Sequence, residues 1–495
     1  MTQATPRLEG GFGVILISVL LGLNVLSTML LAELPGGNLV NYGATGLFLL
    51  SVIVVGMFLR KQVWIGSEWV ILIVWLCYSI IPALLSADVE SAMFKVLTVL
   101  QLGVWALAIH QAIIWRRSAV APLLMYGTAV TGAYFLSFTS IGGGGGISGN
   151  PDAVERVAST LVNANAFGAS AVMGLGLCLI AAANRLPLRF RLFQVVLAFA
   201  LIAGVVNSGS RTALIGMIFL LLGSTWALRF WNLRQLMRIM PSLLVFSVVG
   251  GAVYFVFKDV PEVAERVDGV FSLEDPNSVF SRLWDFFGVI AAGSLQAEES
   301  GESMSQRFDL IKLGIDMMLD SNLLGIGLDN FRAQVGAYSH SNVIEVLVAT
   351  GVLGLLLYYS IYLALILRCF QILRLDRNHS VARMALVAVM TLSLMDIQHV
   401  SYDTKQGWLF LAILIASVEV SRRWLLESIR EAALEKQSAH EDATDQAHAA
   451  DSLPSERSGM QAIGSIEAAS AVNLKVGKRV SLAAASKLGD PKRPS

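Results

Sequence analysis

Residues 11–59 read GFGVILISVLLGLNVLSTMLLAELPGGNLVNYGATGLFLLSVIVVGMFL, a run in which Glu33 is the one charged side chain. It holds two apolar blocks, 12–32 and 42–59, each close to the roughly 20 residues that a helix needs to cross a hydrocarbon core about 30 Å thick. Blocks of this kind recur as far as residue 424. The composition agrees: 55 % of residues are hydrophobic and only 15 % charged, with a mean hydropathy of +0.66. A soluble chain of this size carries roughly a quarter charged residues. The first block follows a short polar start with Arg7, is long for a signal-peptide core and is closely followed by a second span. It therefore reads as an uncleaved first helix.

Lipid offers backbone groups no hydrogen-bond partner, so blocks of this length are read as helices, not barrel strands. The expected spans are 12–32, 42–59, 67–86, 94–114, 119–140, 163–183, 192–207, 211–229, 240–257, 341–367, 384–402 and 405–422. The fold class expected is an all-α polytopic membrane protein of about twelve transmembrane helices with one large extracytoplasmic loop.

Orientation follows from the bias of Lys and Arg in short loops. One alternate set of connections holds Arg60, Lys61, Arg116, Arg117, Arg185, Arg189, Arg191, Arg229, Arg234 and Arg238. It continues with Arg368, Arg374, Arg377, Arg383, Arg422 and Arg423, sixteen in all. The opposite set of short loops holds Lys95, Arg156, Arg211 and Lys405, four in all. Both termini are therefore expected in the cytoplasm. The chain divides into spans one to nine (1–257), a large, partly helical outer loop (258–340), spans ten to twelve (341–424) and a tail (425–495). Leu425–Gln437 suits an amphipathic helix at the membrane surface. Beyond it, few large apolar residues remain to offset ordering entropy, and disorder is expected.

Several functions are disfavoured at once. A net charge of zero with no basic face argues against nucleic-acid binding. Cys77, Cys178 and Cys369 lie too far apart for a metal or disulfide framework and read as small apolar fillers. Gly142–Gly146 has no phosphate-loop lysine after it. No His, Cys or carboxylate cluster has metal-ligand spacing.

Polar residues gather instead at the expected outer face, in four segments. The first is Arg156-Val-Ala-Ser-Thr-Leu-Val-Asn163-Ala-Asn165-Ala-Phe-Gly168; the second is Asn207-Ser-Gly-Ser-Arg211-Thr212. The third is Ser305-Gln-Arg307-Phe308, continuing as an amphipathic helix with Phe308, Ile311, Ile315 and Met318 on one face. The fourth runs from Gly325-Ile-Gly327-Leu-Asp329-Asn330-Phe331 to Tyr338-Ser-His340-Ser-Asn342-Val-Ile-Glu345. Arg211 at the mouth of a span either snorkels to the interface or holds a phosphate bidentately. Arg307 is a solvated loop residue or a second anion ligand. His340 stands at a helix start capped by Ser339 or Ser341, where the helix dipole favours anions and a neutral, proton-accepting imidazole. Asp396 and His399, near the outer end of span eleven, are functional candidates or are solvated or paired with each other.

Together these segments resemble the O-antigen ligase and polymerase superfamily, bacterial membrane glycosyltransferases that use undecaprenyl-pyrophosphate-linked glycans. The residues that carry the resemblance are Ser208-Gly-Ser-Arg211-Thr-Ala-Leu, Ser305-Gln-Arg307, Leu324-Gly-Ile-Gly-Leu-Asp-Asn-Phe331, Ser339-His340-Ser-Asn342-Val-Ile-Glu345 and Thr350-Gly351-Val-Leu-Gly354. Asn163-Ala-Asn165 departs from the family's usual Asn-Pro-Asn. The resemblance is clearest from about 150 to 357. It implies a GT-C-like enzyme without a cofactor: a metal-independent, inverting transfer with the large loop over the site. By the same resemblance Arg211, Arg307 and His340 are the catalytic residues, and Arg156, Asn165, Tyr338, Asn342 and Glu345 are substrate-binding candidates. Glu345 and Tyr338 either orient His340 or bind sugar.

The implied partners are the lipid-linked donor, a lipid A–core or glycan acceptor, and the bilayer of the bacterial inner membrane, with the site facing the periplasm. Within the superfamily a ligase and a polymerase both fit, the first slightly preferred. A transporter or lipid flippase is the reading from another class. Such folds show internal repeats and paired broken helices near mid-membrane, and no repeating halves are visible here.

Overall fold

The structure is a computed structural model that describes residues 12–30, 37–58, 62–136, 164–184, 188–208, 210–228, 301–337, 339, 341–397 and 399–451. Every regular element among the described residues is a helix. They are α1 (Phe12–Leu30), α2 (Gly37–Phe58), α3 (Ser67–Leu84), α4 (Val89–Arg116), α5 (Val120–Leu136), α6 (Ala164–Ala183), α7 (Leu188–Asn207) and α8 (Arg211–Leu228). After the undescribed stretch come α9 (Gly301–Asp320), α10 (Asn330–Val335), α11 (Asn342–Leu375), α12 (Ser380–Met395) and α13 (Lys405–Asp451). Among the described residues, five stretches are long and apolar enough to cross a membrane: Val40–Met57, Ser67–Leu84, Val89–Arg116, Asn165–Ala183 and Asn342–Leu375. The expected span 240–257 and most of the expected large loop lie outside the described residues.

Several boundaries differ from expectation, each for a local reason. α4 begins at Val89 because the Asp88 carboxylate accepts the Ser91 N–H at 3.0 Å, an N-cap. Span eleven, expected to reach residue 402, ends at Met395; Asp396 to Thr404 form a connecting corner. Nor is Leu425–Gln437 a separate surface helix. α13 runs unbroken from Lys405 to Asp451, so helical order outlasts the expected limit at Gln437. The chain separates into two compact units, Met1–Ser428 and Ile429–Ser495.

Within the first unit, small residues let helices approach closely, as lipid-embedded packing requires. A Cβ on Gly216 of α8 would come within 2.8 Å of Met395 Sδ on α12, and one on Gly223 would strike Val387. These two contacts set α8 antiparallel to α12, with Gly216 level with the α12 end. A Cβ on Gly168 of α6 would lie 2.6 Å from Ser208 Oγ, so α6 packs against the link into α8.

The opposite end of the bundle carries a buried ion network that hydropathy alone does not reveal. Glu68 of α3 and Glu419 of α13 are fully buried. Arg368 of α11 reaches both, at 2.9 Å to Glu68 Oε2 and 3.3 Å to Glu419 Oε2. Arg422 and Arg423 add ion pairs of 2.9 and 2.7 Å to Glu419. The Arg368 and Arg423 guanidinia also lie 5.0 and 5.2 Å from the Trp64 ring centroid.

The expected tenth span is broken. Gly351 takes φ 67° and ψ −174° inside α11, separating a half of nine residues, 342–350, from the long half, 352–375. The carbonyls exposed at the break find partners in the segment before α10. Ile326 and Gly327 N–H donate to the Val348 and Ala349 carbonyls, each at 2.9 Å, and Val352 N–H donates to the Leu323 carbonyl at 3.3 Å. The Gly325-Ile-Gly327 motif thus caps a broken helix. Gly325 itself, at φ 87°, leaves no room for a side chain, since a Cβ would stand 2.6 Å from the Ala349 oxygen. Gly351→Ala is expected to destabilise the purified protein by more than the roughly 1–3 kcal/mol of a strained left-handed residue, because its Cβ would also run into the Leu323 carbonyl. Gly336→Ala isolates the strain alone, having φ 76° and nothing within 4 Å. Thermal melts in detergent compare the two; equal losses would remove the steric part of the argument.

Candidate functional site

The 342–350 half-helix opens with Ser341, whose hydroxyl accepts the Ile344 N–H at 3.4 Å and so serves as the N-cap. Ser339, the alternative expected from sequence, braces the approach. Its N–H donates to Glu345 Oε1 at 2.7 Å and its hydroxyl donates to the Ser341 carbonyl at 3.1 Å. Both serines are buried. The backbone on either side of position 340 is therefore held by the half-helix it leads into. His340 and Tyr338 lie outside the described residues, as does Arg156.

Asn342 fastens this start to the corner after α12. Its Oδ1 accepts from the Ser401 and Tyr402 N–H groups, each at 2.9 Å. Its Nδ2 donates to Asp396 Oδ2 at 3.2 Å and to Tyr359 OH at 3.3 Å, and its N–H donates to the Asp396 carbonyl at 2.8 Å. Fully buried, with both side-chain polar atoms engaged inside the protein, Asn342 is an organiser of the corner. Glu345, 2 % exposed, accepts the Ser339 N–H and so braces the approach to position 340.

Asp396 sits at the centre of the corner and is also fully buried. Besides Asn342, it accepts from Tyr362 OH at 3.0 Å, Tyr359 OH at 3.3 Å and Ser401 Oγ at 2.7 Å. Of the readings from sequence, solvation and pairing with His399 are both replaced by this set of donors. His399 stands in the connecting corner, where loss of solvent pushes its imidazole down to about 4 against the opposing pull of Asp403. The tyrosines were not singled out from sequence. Their signal was present, because Tyr358, Tyr359 and Tyr362 place three phenols on neighbouring turns of one apolar helix.

A second polar group borders the same corner. Lys95 of α4 lies 2.8 Å from Asp403 and 3.8 Å from Asp329, joining the 396–404 corner to the segment that caps α11. Asp329 and Asp403 are also near enough for their charge to act on Glu345. Asn165 is half-buried at the first turn of α6. Among the described residues, no three His, Cys, Asp or Glu are grouped to hold a metal ion.

The elements bearing the two arginines lead to the same place. Arg211 is the first residue of α8, just past Ser210, whose hydroxyl accepts the Ala213 N–H at 3.4 Å. Five residues separate it from Gly216, about 7 Å of helix, so α8 begins just beyond the Met395 level, beside the Asp396–Thr404 corner. Arg307 lies seven residues before Gly314, about 10 Å along α9. A Cβ on Gly314 would meet Ile344 at 3.2 Å and Val348 at 3.0 Å, and Met318 clusters with Val348 and Phe331. α9 therefore runs parallel to the 342–350 half-helix, and position 307 falls toward the end where Ser339 and Ser341 lie. Met318 packs inward as expected; Ile311 and Ile315 are half-buried and stand outside that cluster.

Comparison with known proteins adds one finding. Residues 196–359 match the family model described as O-antigen ligase. The match covers α8, α9, the capping segment, the 342–350 half-helix and the first turns beyond the break. It shows the resemblance to the O-antigen ligase and polymerase superfamily over this part of the chain, and it supports a ligase- or polymerase-type function in general. No curated protein matches the chain.

Proposed function

We propose that this corner transfers a glycan from undecaprenyl pyrophosphate to an acceptor hydroxyl, at the periplasmic face of the bacterial inner membrane and with both termini in the cytoplasm. The observation that carries the reading is convergence. α8 with Arg211, α9 with Arg307 and the braced Ser339–Ser341 segment around His340 all lead to the Asp396–Thr404 corner. A diphosphate needs cationic groups wherever no metal offsets its charge, and two guanidinia supply them.

In the proposed reaction the acceptor oxygen attacks the anomeric carbon as the bond from that carbon to the pyrophosphate oxygen breaks, inverting the centre. His340 takes the acceptor proton. Arg211 and Arg307 stabilise the charge developing on the departing undecaprenyl pyrophosphate. The ligase form places the glycan on lipid A–core; the polymerase form, with the same chemistry, places it on another lipid-linked repeat.

The test is single alanine replacement of Arg211, Arg307 and His340 in a deletion strain, with membrane protein levels matched. Each variant is expected to lose capped product. Full output from a well-expressed His340→Ala protein removes that residue from the chemistry. The host's product separates the two forms: deletion leaves uncapped lipid A–core for a ligase and single-repeat caps for a polymerase.

A further inference from the structure

α9 presents more apolar surface than its packing consumes. Leu310, Gly314, Met317 and Met318 face the half-helix and Phe331. A second stripe, Ile311, Ile315 and Leu319, follows beside it at helical spacing, half-buried and then open, with Leu319 55 % exposed. Asp309, Lys312, Asp316 and Asp320, all exposed, lie on the remaining side together with Leu313, 42 % exposed. The apolar stripe does not end with the helix. Leu323 and Leu324, in the turn that follows, are 47 % and 42 % exposed.

That surface joins another whose solvent is lipid. The Leu323 carbonyl is bonded to Val352 N–H, and the long half of α11 begins there with Val352, Leu353 and Leu356 exposed. Depth agrees with continuity. Arg368, tied to buried Glu68 and Glu419, belongs at the opposite interface, where intramembrane charge is least costly. From 368 to 351 is 17 residues, about 25 Å of helix at 1.5 Å each. A hydrocarbon core of about 30 Å then extends past the break. α9 ends at that break and packs along the half-helix below it.

We propose that α9 is a membrane-seated helix: its Ile311–Ile315–Leu319 stripe, with Leu323 and Leu324, rests against acyl chains of the leaflet at the Asp396 end of the bundle. Its acidic side faces headgroups and water. Part of the segment expected to form the large outer loop is thereby a lipid-binding surface, and the bilayer itself holds α9 beside the half-helix. The proposal does not depend on the glycosyl-transfer reading.

The test uses the full-length protein with Cys77→Ser, which removes the exposed thiol and leaves the buried Cys178 and Cys369. Nitroxides are attached at Leu319→Cys, Leu323→Cys and Asp316→Cys in nanodiscs of phosphatidylethanolamine and phosphatidylglycerol. Relaxation by oxygen, which partitions into lipid, is compared with relaxation by a water-soluble nickel chelate. The expected result is a shift toward oxygen at 319 and 323 relative to 316. Equal nickel accessibility at all three positions overturns the proposal, showing an aqueous helix. Protection of 319 and 323 from both reagents also overturns it, showing a protein cover. All three positions are exposed, so the substitutions leave the packed face intact.

Discussion

Asp396→Ala is expected to abolish product formation and to destabilise the corner, in a protein that still inserts in the membrane. Four side-chain donors converge on this carboxylate: Asn342 Nδ2, Tyr359 OH, Tyr362 OH and Ser401 Oγ. Each buried donor left without an acceptor costs about 1–3 kcal/mol, and removing the carboxylate strands several together. The effect on activity arises one step further out. Asn342 opens the half-helix whose Ser341 and Glu345 brace the backbone on either side of position 340. A displacement of about 1 Å in a reacting group costs roughly 100-fold in rate.

Asp396→Asn separates these contributions. It keeps the volume and one acceptor oxygen, and hydroxyl donors can rotate to accept from the new amide. Its loss is expected to be smaller than that of alanine in both the melting midpoint and product per folded protein. Wild-type output and unchanged melting for Asp396→Ala would sink the corner as an organising centre.

The second large effect is expected from Glu419→Ala. This carboxylate, 0 % exposed, accepts from Arg368, Arg422 and Arg423. Removing one partner of a buried pair costs about 3–5 kcal/mol where the remaining charge is left uncompensated; the loss here is expected to be smaller, because Arg422 and Arg423 are about a third exposed. Arg368 retains Glu68, so the damage concentrates on the contact between α11 and α13. Glu419→Gln, which keeps an acceptor, is expected to fall between wild type and alanine. The expected signature is reduced melting temperature and membrane abundance, with activity per surviving molecule largely kept, since the network lies at the end opposite Asp396. A Glu419→Ala protein that melts like wild type would show the network to be unimportant for stability.

Much of the architecture was legible in the residues. Each apolar block between 12 and 424 that the structure describes overlaps a helix, because the cost of exposing polar groups to lipid acts on each block separately. The family motifs were legible as a set, and the O-antigen ligase match falls on most of them. Gly351 was not read as a break. A glycine inside an apolar run is tolerated in a helix at a cost of about 1 kcal/mol, so the run Val346-Leu-Val-Ala-Thr-Gly-Val-Leu-Gly354 scans as one continuous span. Likewise, Gly325-Ile-Gly327 was visible as a motif without its role as the cap of that break being visible.

The sequence by itself determined residence in the membrane, an all-helical build and the polar residues that set this chain apart from other apolar bundles. Those properties are local sums over neighbouring side chains, and reading along the chain is enough to total them. Tertiary structure alone decided which groups satisfy one another: Leu323 with Val352, Lys95 with Asp403, Arg368 with Glu419, and four donors with Asp396. A hydrogen bond or ion pair is a matter of a few ångströms between residues tens or hundreds of positions apart, and only the folded chain brings them within that range.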